Sequence, residues 1–196
     1  MHTRTYPLGE LQANCYLLTK GTDALIIDPG DSADFLLELV SREQLRVWGI
    51  LATHGHYDHV LAAGELQASL DIPLYIGEKD VFLVKKTEKT AEHFMSVKPI
   101  ILPVQGMQFL EEKGYTLGPF SFQAIPAPGH TPGSFSFYFE SENALFVGDV
   151  MFADNTYGST THRYSNKQDL ERSIQKLKAV SFAIVYPGHG TSMVLQ

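Results

Sequence analysis

The chain carries a single cysteine, Cys15, among 196 residues, so no intrachain disulfide can form and a reducing compartment is favoured. Cys15 lies in the apolar run CYLLT, where a thiol reads as a small core residue rather than a reactive one. There is no run of eighteen apolar residues, which excludes an obvious membrane span. The opening MHTRTYPLGELQANCYLL lacks a basic block followed by an apolar core and a small-residue cleavage site, so a cytoplasmic protein is expected. Basic residues are in deficit, 15 against 22 acidic, and no basic stripe interleaved with aromatics occurs. Neither nucleic acid nor a membrane is therefore expected as a partner, and a small molecule is.

With 44% hydrophobic residues the chain is globular, and its length fits one domain, residues 1–196, with one principal site. The segments NCYLLT, DALIID, VWGILAT, FSFQAI, SFSFYF, ALFVGD and FAIVYP read as strands bounded by Gly, Pro or Asp. Between them lie amphipathic helices. SADFLLELVSREQL offers Ser32 as an N-cap, and NKQDLERSIQKLKAV places Leu170, Ile174 and Leu177 on one face, with a Ser165/Gln168 capping box setting its start near Asn166. A third helix is expected from Asp58 to Pro73; the middle, about residues 78–114, is less regular, and KKTEKTAEHFMSVKP within it is expected as a mobile loop or helix over the site. CYLLTKGTDALIIDPG and FSFYFESENALFVGDV, 120 residues apart, share a strand, a polar connection, a second strand beginning Ala-Leu and then an aspartate, Asp28 or Asp149. Two halves of similar build would give an α+β architecture of two packed sheets covered by helices.

The stretch THGHYDHV, following the apolar segment VWGILA, concentrates three histidines and an aspartate. Residues two apart at a strand end point to one side, so His54 and His56 can grip one cation. Asp58 and His59 project from the following turn toward a neighbouring point, and two cations fit better than one. Imidazole with carboxylate suits zinc, and also iron or manganese. Three later turns can complete the set: APGH with His130, FVGD with Asp149, and YPGH with His189. Each follows an apolar run, and Pro-Gly turns the chain at two of them. Five of the eight histidines thus fall in such turns, a crowding that packing alone does not explain.

The motif H-x-H-x-D-H at 54–59, followed by Pro-Gly-His130, Gly-Asp149 and Pro-Gly-His189, resembles the metallo-β-lactamase superfamily along nearly the whole chain, NCYLL and IIDPG included. The resemblance implies a four-layer αββα sandwich with two pseudo-equivalent halves. It makes His54, His56 and His130 ligands of one metal, Asp58, His59 and His189 ligands of a second, and Asp149 the bridge, with two divalent ions, zinc foremost. It also gives Asp28 a supporting role behind the ligands. The β-lactamases that place a cysteine at the second metal differ, since Cys15 lies in another segment.

Within the superfamily the chain is most similar to the glyoxalase II-like branch, which hydrolyses glutathione thioesters. The implied activity is cleavage of a thioester or related acyl bond by a metal-bridging hydroxide, with Asp58 and Asp149 as catalytic carboxylates. The chain departs from that branch in three places. It stops seven residues after His189 without a C-terminal helical domain, carries Thr191 where a tyrosine is common, and reads YGSTTHRYS where a basic residue and a tyrosine serve glutathione. Tyr157, His162, Arg163 and Tyr164 are the substitutes it offers for substrate binding. Two other readings are a mononuclear-iron persulfide dioxygenase and a non-enzymatic, metal-stabilised binding module; a structural zinc site would be closed and cysteine-rich, unlike this one.

Overall fold

The computed structural model describes every residue except Val97, Asn155, Leu195 and Gln196, and the backbone alone of Val194. Two six-stranded sheets form the centre. The first holds β1 (His2–Leu8), β2 (Ala13–Lys20), β3 (Asp23–Ile27), β4 (Arg46–Leu51), β5 (Leu74–Ile76) and β6 (Gln108–Phe109) in sequence order. The second holds β7 (Lys113–Leu117), β8 (Phe120–Pro126), β9 (Phe135–Phe139), β10 (Ala144–Gly148), β11 (Ile184–Pro187) and β12 (Met193–Val194), again in order. The helices are α1 (Ala33–Arg42), α2 (Tyr57–Val60), α3 (Ala63–Leu70), α4 (Val81–Val84), α5 (Thr87–Met95) and α6 (Lys167–Lys178).

Strand alternation separates the layers. On β3, Ala24 and Ile26 face a cluster containing Leu36 and Leu39 of α1 and Leu66 of α3, while Leu25 and Ile27 face the other sheet. On β10, Ala144 and Phe146 meet that inter-sheet core, and Leu145 and Val147 meet Leu170, Ile174 and Leu177 of α6. Strands buried on both faces need near-continuous apolar runs, which is why DALII and ALFVG read as they do. Each fully buried Leu, Ile or Phe stabilises the sandwich by roughly 1.5–3 kcal/mol. The order helix, sheet, sheet, helix is the expected αββα sandwich. The two similar hairpins are β2–β3 and β9–β10, and in each half the second strand pairs in parallel with the strand after the next helix, β4 or β11.

Three local expectations are corrected. Ser32 adopts a left-handed conformation, φ 55°, and caps nothing through its side chain; Asp31 accepts its N–H instead. The Ser165/Gln168 box does not form. Asn166 caps α6, accepting from the amides of Gln168 and Asp169 at 2.9 and 3.1 Å, while the Ser165 hydroxyl donates to the His130 carbonyl at 2.7 Å. The helix expected from Asp58 to Pro73 is broken into α2 and α3. The Asp-Pro-Gly turn intrudes there: Ala62 donates its amide to the Pro29 carbonyl, and a Cβ on Gly30 would lie 1.7 Å from the Asp58 carbonyl oxygen. The less regular middle, 78–114, holds α4, α5, β6 and the start of β7; KKTEKTAEHFMSVKP within it carries α5, whose Phe94 stacks on Tyr57 of α2 at 5.6 Å.

Candidate metal centre

Topology alone gathers the ligating turns. β3 and β4 run parallel, as do β10 and β11, and β8 shares the direction of β10 because both are antiparallel to β9. The turns after β4, β8, β10 and β11 therefore open at strand C-termini, and these deliver His54 to His59, His130, Asp149 and His189. The N-terminal end of β2 arrives at the same edge and pins the last turn. Asn14 accepts nothing there but donates: its amide to Gly188, and its side chain to Pro187 and Gly190 at 3.0 and 2.8 Å.

Three groups of donor atoms converge: His54, His56 and His130; His54, His59 and Asp149; and Asp58, His59 and His189, with the atoms of each group within 4.8 Å of one another. All seven residues singled out as ligands are brought together. Nδ1 of His56 lies 3.0 Å from Nε2 of both His54 and His130, close to the ~3.3 Å separation that ~2.05 Å metal–nitrogen bonds produce in a tetrahedron. Asp149 spans the groups: Oδ1 lies 3.6 Å from Nε2 of His59, and Oδ2 lies 3.5 Å from His130 and 3.7 Å from His189. Asp58 Oδ2 sits 3.3 Å from Nε2 of His189 and 3.6 Å from that of His59.

The outward nitrogen of every one of these histidines is engaged. His59 Nδ1 meets Asp28 Oδ2 at 3.0 Å, His130 Nδ1 the Ser159 carbonyl at 2.8 Å, and His189 Nδ1 the Leu11 carbonyl at 3.1 Å. Those partners only accept, so one proton is fixed on Nδ1, and in the neutral ring that ligates a metal it is Nε2 that offers its lone pair inward. The Thr53 hydroxyl donates to Asp28 at 2.6 Å and so accepts from His54 Nδ1 at 3.1 Å. His56 is turned the other way, Nε2 bonding the Tyr164 hydroxyl at 2.8 Å and Nδ1 facing inward. At most one proton on His56 Nδ1 can serve the two Nε2 atoms that lie 3.0 Å from it, so inward lone pairs remain for a cation to take up. Nε2 of His59 and Oδ1 of Asp149 are buried without a hydrogen-bond partner, an arrangement that a bound cation satisfies. The donor set fits divalent metal in two adjoining subsites, one of imidazoles and one richer in carboxylate.

Electrostatics distinguish the subsites. Burial holds the His54 imidazole well below its ordinary pKa, assisted by the neighbouring histidines, and pushes His56 down to about 3. Burial acts the same way on His59, but the carboxylates of Asp58, Asp149 and Asp28 outweigh it and raise that ring to about 10. For Asp58, burial alone would raise the pKa, and His59 and His189 reverse this to hold it below the usual carboxylate range.

Of the residues proposed for substrate contact, Tyr164 and His162 reach the site. Their rings stack at 5.0 Å, and His162 lies 5.4 Å from His56. Tyr157 is half exposed on a cleft of about 500 Å³ shared with Leu170 and Ile174, and Arg163 is exposed. Sequence reasoning missed Thr53, Asp80 and the carbonyls of Leu11 and Ser159. Backbone acceptors have no sequence signal, and Thr53 acts only because Asp28 folds against it. No helix of the described residues is long and apolar enough to cross a membrane.

Comparison with known proteins agrees with this geometry. The family model described as the metallo-beta-lactamase superfamily matches residues 8–189. The hydroxyacylglutathione hydrolase GloC of Haemophilus influenzae is 31% identical over 97% of this chain and 92% of its own length. The BLEG-1 B3 metallo-beta-lactamase superposes with a TM-score of 0.88 at 33% identity, covering 98% of this chain and 94% of its own. TTHA1623, solved in a di-iron-bound form, superposes with a TM-score of 0.87 at 32% identity, covering 99% and 94%.

Proposed function

Because the chain belongs to the metallo-β-lactamase superfamily, we propose that it is a two-metal hydrolase that cleaves a thioester, of the S-lactoylglutathione kind, or a related acyl bond. The observation that carries this reading is the inward set of lone pairs, fixed by outward hydrogen bonds and spanned by Asp149. His54, His56 and His130 would hold one ion, Asp58, His59 and His189 the other, and Asp149 both. Zinc is the first choice on ligand type, with iron or manganese accepted by the same donors, and the di-iron form of TTHA1623 supports double occupancy.

Two divalent ions held by these residues would supply a nucleophile at neutral pH, by lowering the pKa of water from about 16 toward 7, and would polarise the acyl carbonyl. The chain's own residues do the rest. Asp58, held ionised beside His59 and His189, is placed to take the proton of the attacking water. Asp149 fixes the spacing of the subsites. The outward hydrogen bonds of His54, His59, His130 and His189 keep those imidazoles in the ligating tautomer, and the Tyr164 hydroxyl orients His56. A departing thiolate needs no acid from the protein, since its conjugate acid has a pKa of about 8.5. His162, on the His56 side, lines the approach with Tyr164 and suits the carrier portion of the substrate; Tyr157 and Arg163 would contact only a substrate extending beyond the histidines.

The purified chain would be loaded with zinc, and separately with iron, and the ions per chain counted. S-lactoylglutathione hydrolysis, cephalosporin hydrolysis and oxygen uptake with glutathione persulfide would be compared. Two ions with thioester cleavage, reduced more than about 100-fold by Asp149→Ala, is the expected result. One iron with persulfide-dependent oxygen uptake and no hydrolysis would make it an oxygenase. Cephalosporin turnover without thioester cleavage would move the substrate to β-lactams.

A further inference from the structure

Asp28 and Asp80 are the two fully buried carboxylates among the described residues, and the hydrogen bonds of the Asp80 side chain go to none of the seven inward-facing residues. It sits at the end of a short turn after β5, outside every histidine motif. Its Oδ2 accepts the Gly55 amide at 2.9 Å and the Thr131 hydroxyl at 2.6 Å, and its Oδ1 accepts the Gly133 amide at 2.7 Å. Gly55 lies between His54 and His56, and Thr131 follows His130. One side chain therefore ties together the two loops that carry the three-histidine group, although they come from different sheets.

The junction leaves no room for adjustment. A Cβ on Gly55 would stand 2.9 Å from the Asp80 carbonyl oxygen, one on Gly133 2.6 Å from the Asp80 amide, and one on Gly77 2.0 Å from the Gly133 carbonyl oxygen. Three backbones meet at glycine and are locked by one carboxylate. From the same turn α4 sends out Phe82, whose ring lies 5.4 Å from Tyr164, the partner of His56. His56 is thus braced at its backbone and at its imidazole by the same segment. The other subsite, Asp58, His59 and His189, is held by Asp28, Leu11 and the end of β2, and shares none of these contacts.

We infer that Asp80 is a positioning residue for the three-histidine subsite, fixing the loops of His54, His56 and His130 against each other. The inference rests on the two-metal reading and assigns to segment 78–84 a part in one subsite only.

The test is zinc affinity, measured by chelator competition on the full chain, for Asp80→Asn placed in two backgrounds. His189→Ala leaves the three-histidine subsite intact, and His56→Ala leaves the other. Asn keeps the volume of Asp but turns an amide toward donors, so affinity should fall about 10- to 100-fold in the His189→Ala background and stay unchanged in the His56→Ala background. Thr131→Val, which deletes one of the three bonds, should follow in the same direction by about tenfold or less and covers the case in which Asp80→Asn does not fold. Equal loss in both backgrounds, or none in the first, overturns the inference. A wild-type chain that binds fewer than two zinc ions overturns the two-metal reading instead, so the failures are separable.

Discussion

Replacing Asp28 by Asn tests whether the tautomer of His59 is imposed from behind. Asp28 is 1% exposed, and its two oxygens accept the Thr53 amide at 2.7 Å, the Thr53 hydroxyl at 2.6 Å and His59 Nδ1 at 3.0 Å. Its φ of 52° is one that Asn tolerates, so the backbone is not the target of the change. With the Asn oxygen kept on the Thr53 amide, its NH2 faces both the Thr53 hydroxyl and His59. His59 must then move its proton to Nε2, the atom that faces Asp58 and Asp149 at 3.6 Å. A protonated Nε2 cannot ligate. The affinity of the Asp58, His59 and His189 subsite should fall about 10- to 100-fold, or about 1.4–2.7 kcal/mol. The metal-free protein should lose about 1–3 kcal/mol for the compromised hydrogen bonds, which for a chain of this size is about 2–12 °C in Tm. Ions per chain, chelator competition and a thermal melt read all of this. Undiminished affinity at that subsite would refute the reasoning, because it would mean that His59 ligates whatever stands behind it.

Tyr164→Phe removes the hydroxyl behind His56 and should lower affinity at the three-histidine subsite, and kcat/KM with it, by about tenfold; unchanged values on chelator competition would free Tyr164 for substrate binding alone. Gly188→Ala places a Cβ 2.1 Å from Asp149 Oδ1 and 2.8 Å from His59 Cε1, so it should displace the bridging carboxylate and cost about 1–3 kcal/mol, read as lost hydrolysis with a lowered melt. For the metal-free protein, stability should peak near pH 6.5. Burial depresses His54 and His56, so a cost sets in as pH falls below the ordinary 6.5 and grows toward about 3; His59 is raised, so its contribution is complete below 6.5 and is lost as pH climbs toward about 10. Denaturant midpoints across that range check it, and a flat alkaline arm would count against the charged His59.

The sequence by itself determined which side chains converge as candidate ligands and the layer order. Chelating residues must sit where a strand stops and turns, and such turns leave a local signature, Pro-Gly-His or Gly-Asp after an apolar run; the doubly buried strands likewise must be apolar at every position. The start of α6 near Asn166 was legible for the same local reason, although the capping atom is that of Asn166 and not of Ser165. What only the tertiary structure decided is how those ligands are held. Asp28 reaches Thr53 and His59 across 25 and 31 positions, Asp80 reaches Thr131 across 51, and Leu11 meets His189 across 178. The break between α2 and α3 depends on the Pro29 carbonyl arriving from another loop. A hydrogen bond of that kind belongs to neither segment alone, since each partner, read in its own stretch of chain, is an ordinary turn aspartate, threonine or backbone carbonyl until the two sheets pack and bring them to one edge.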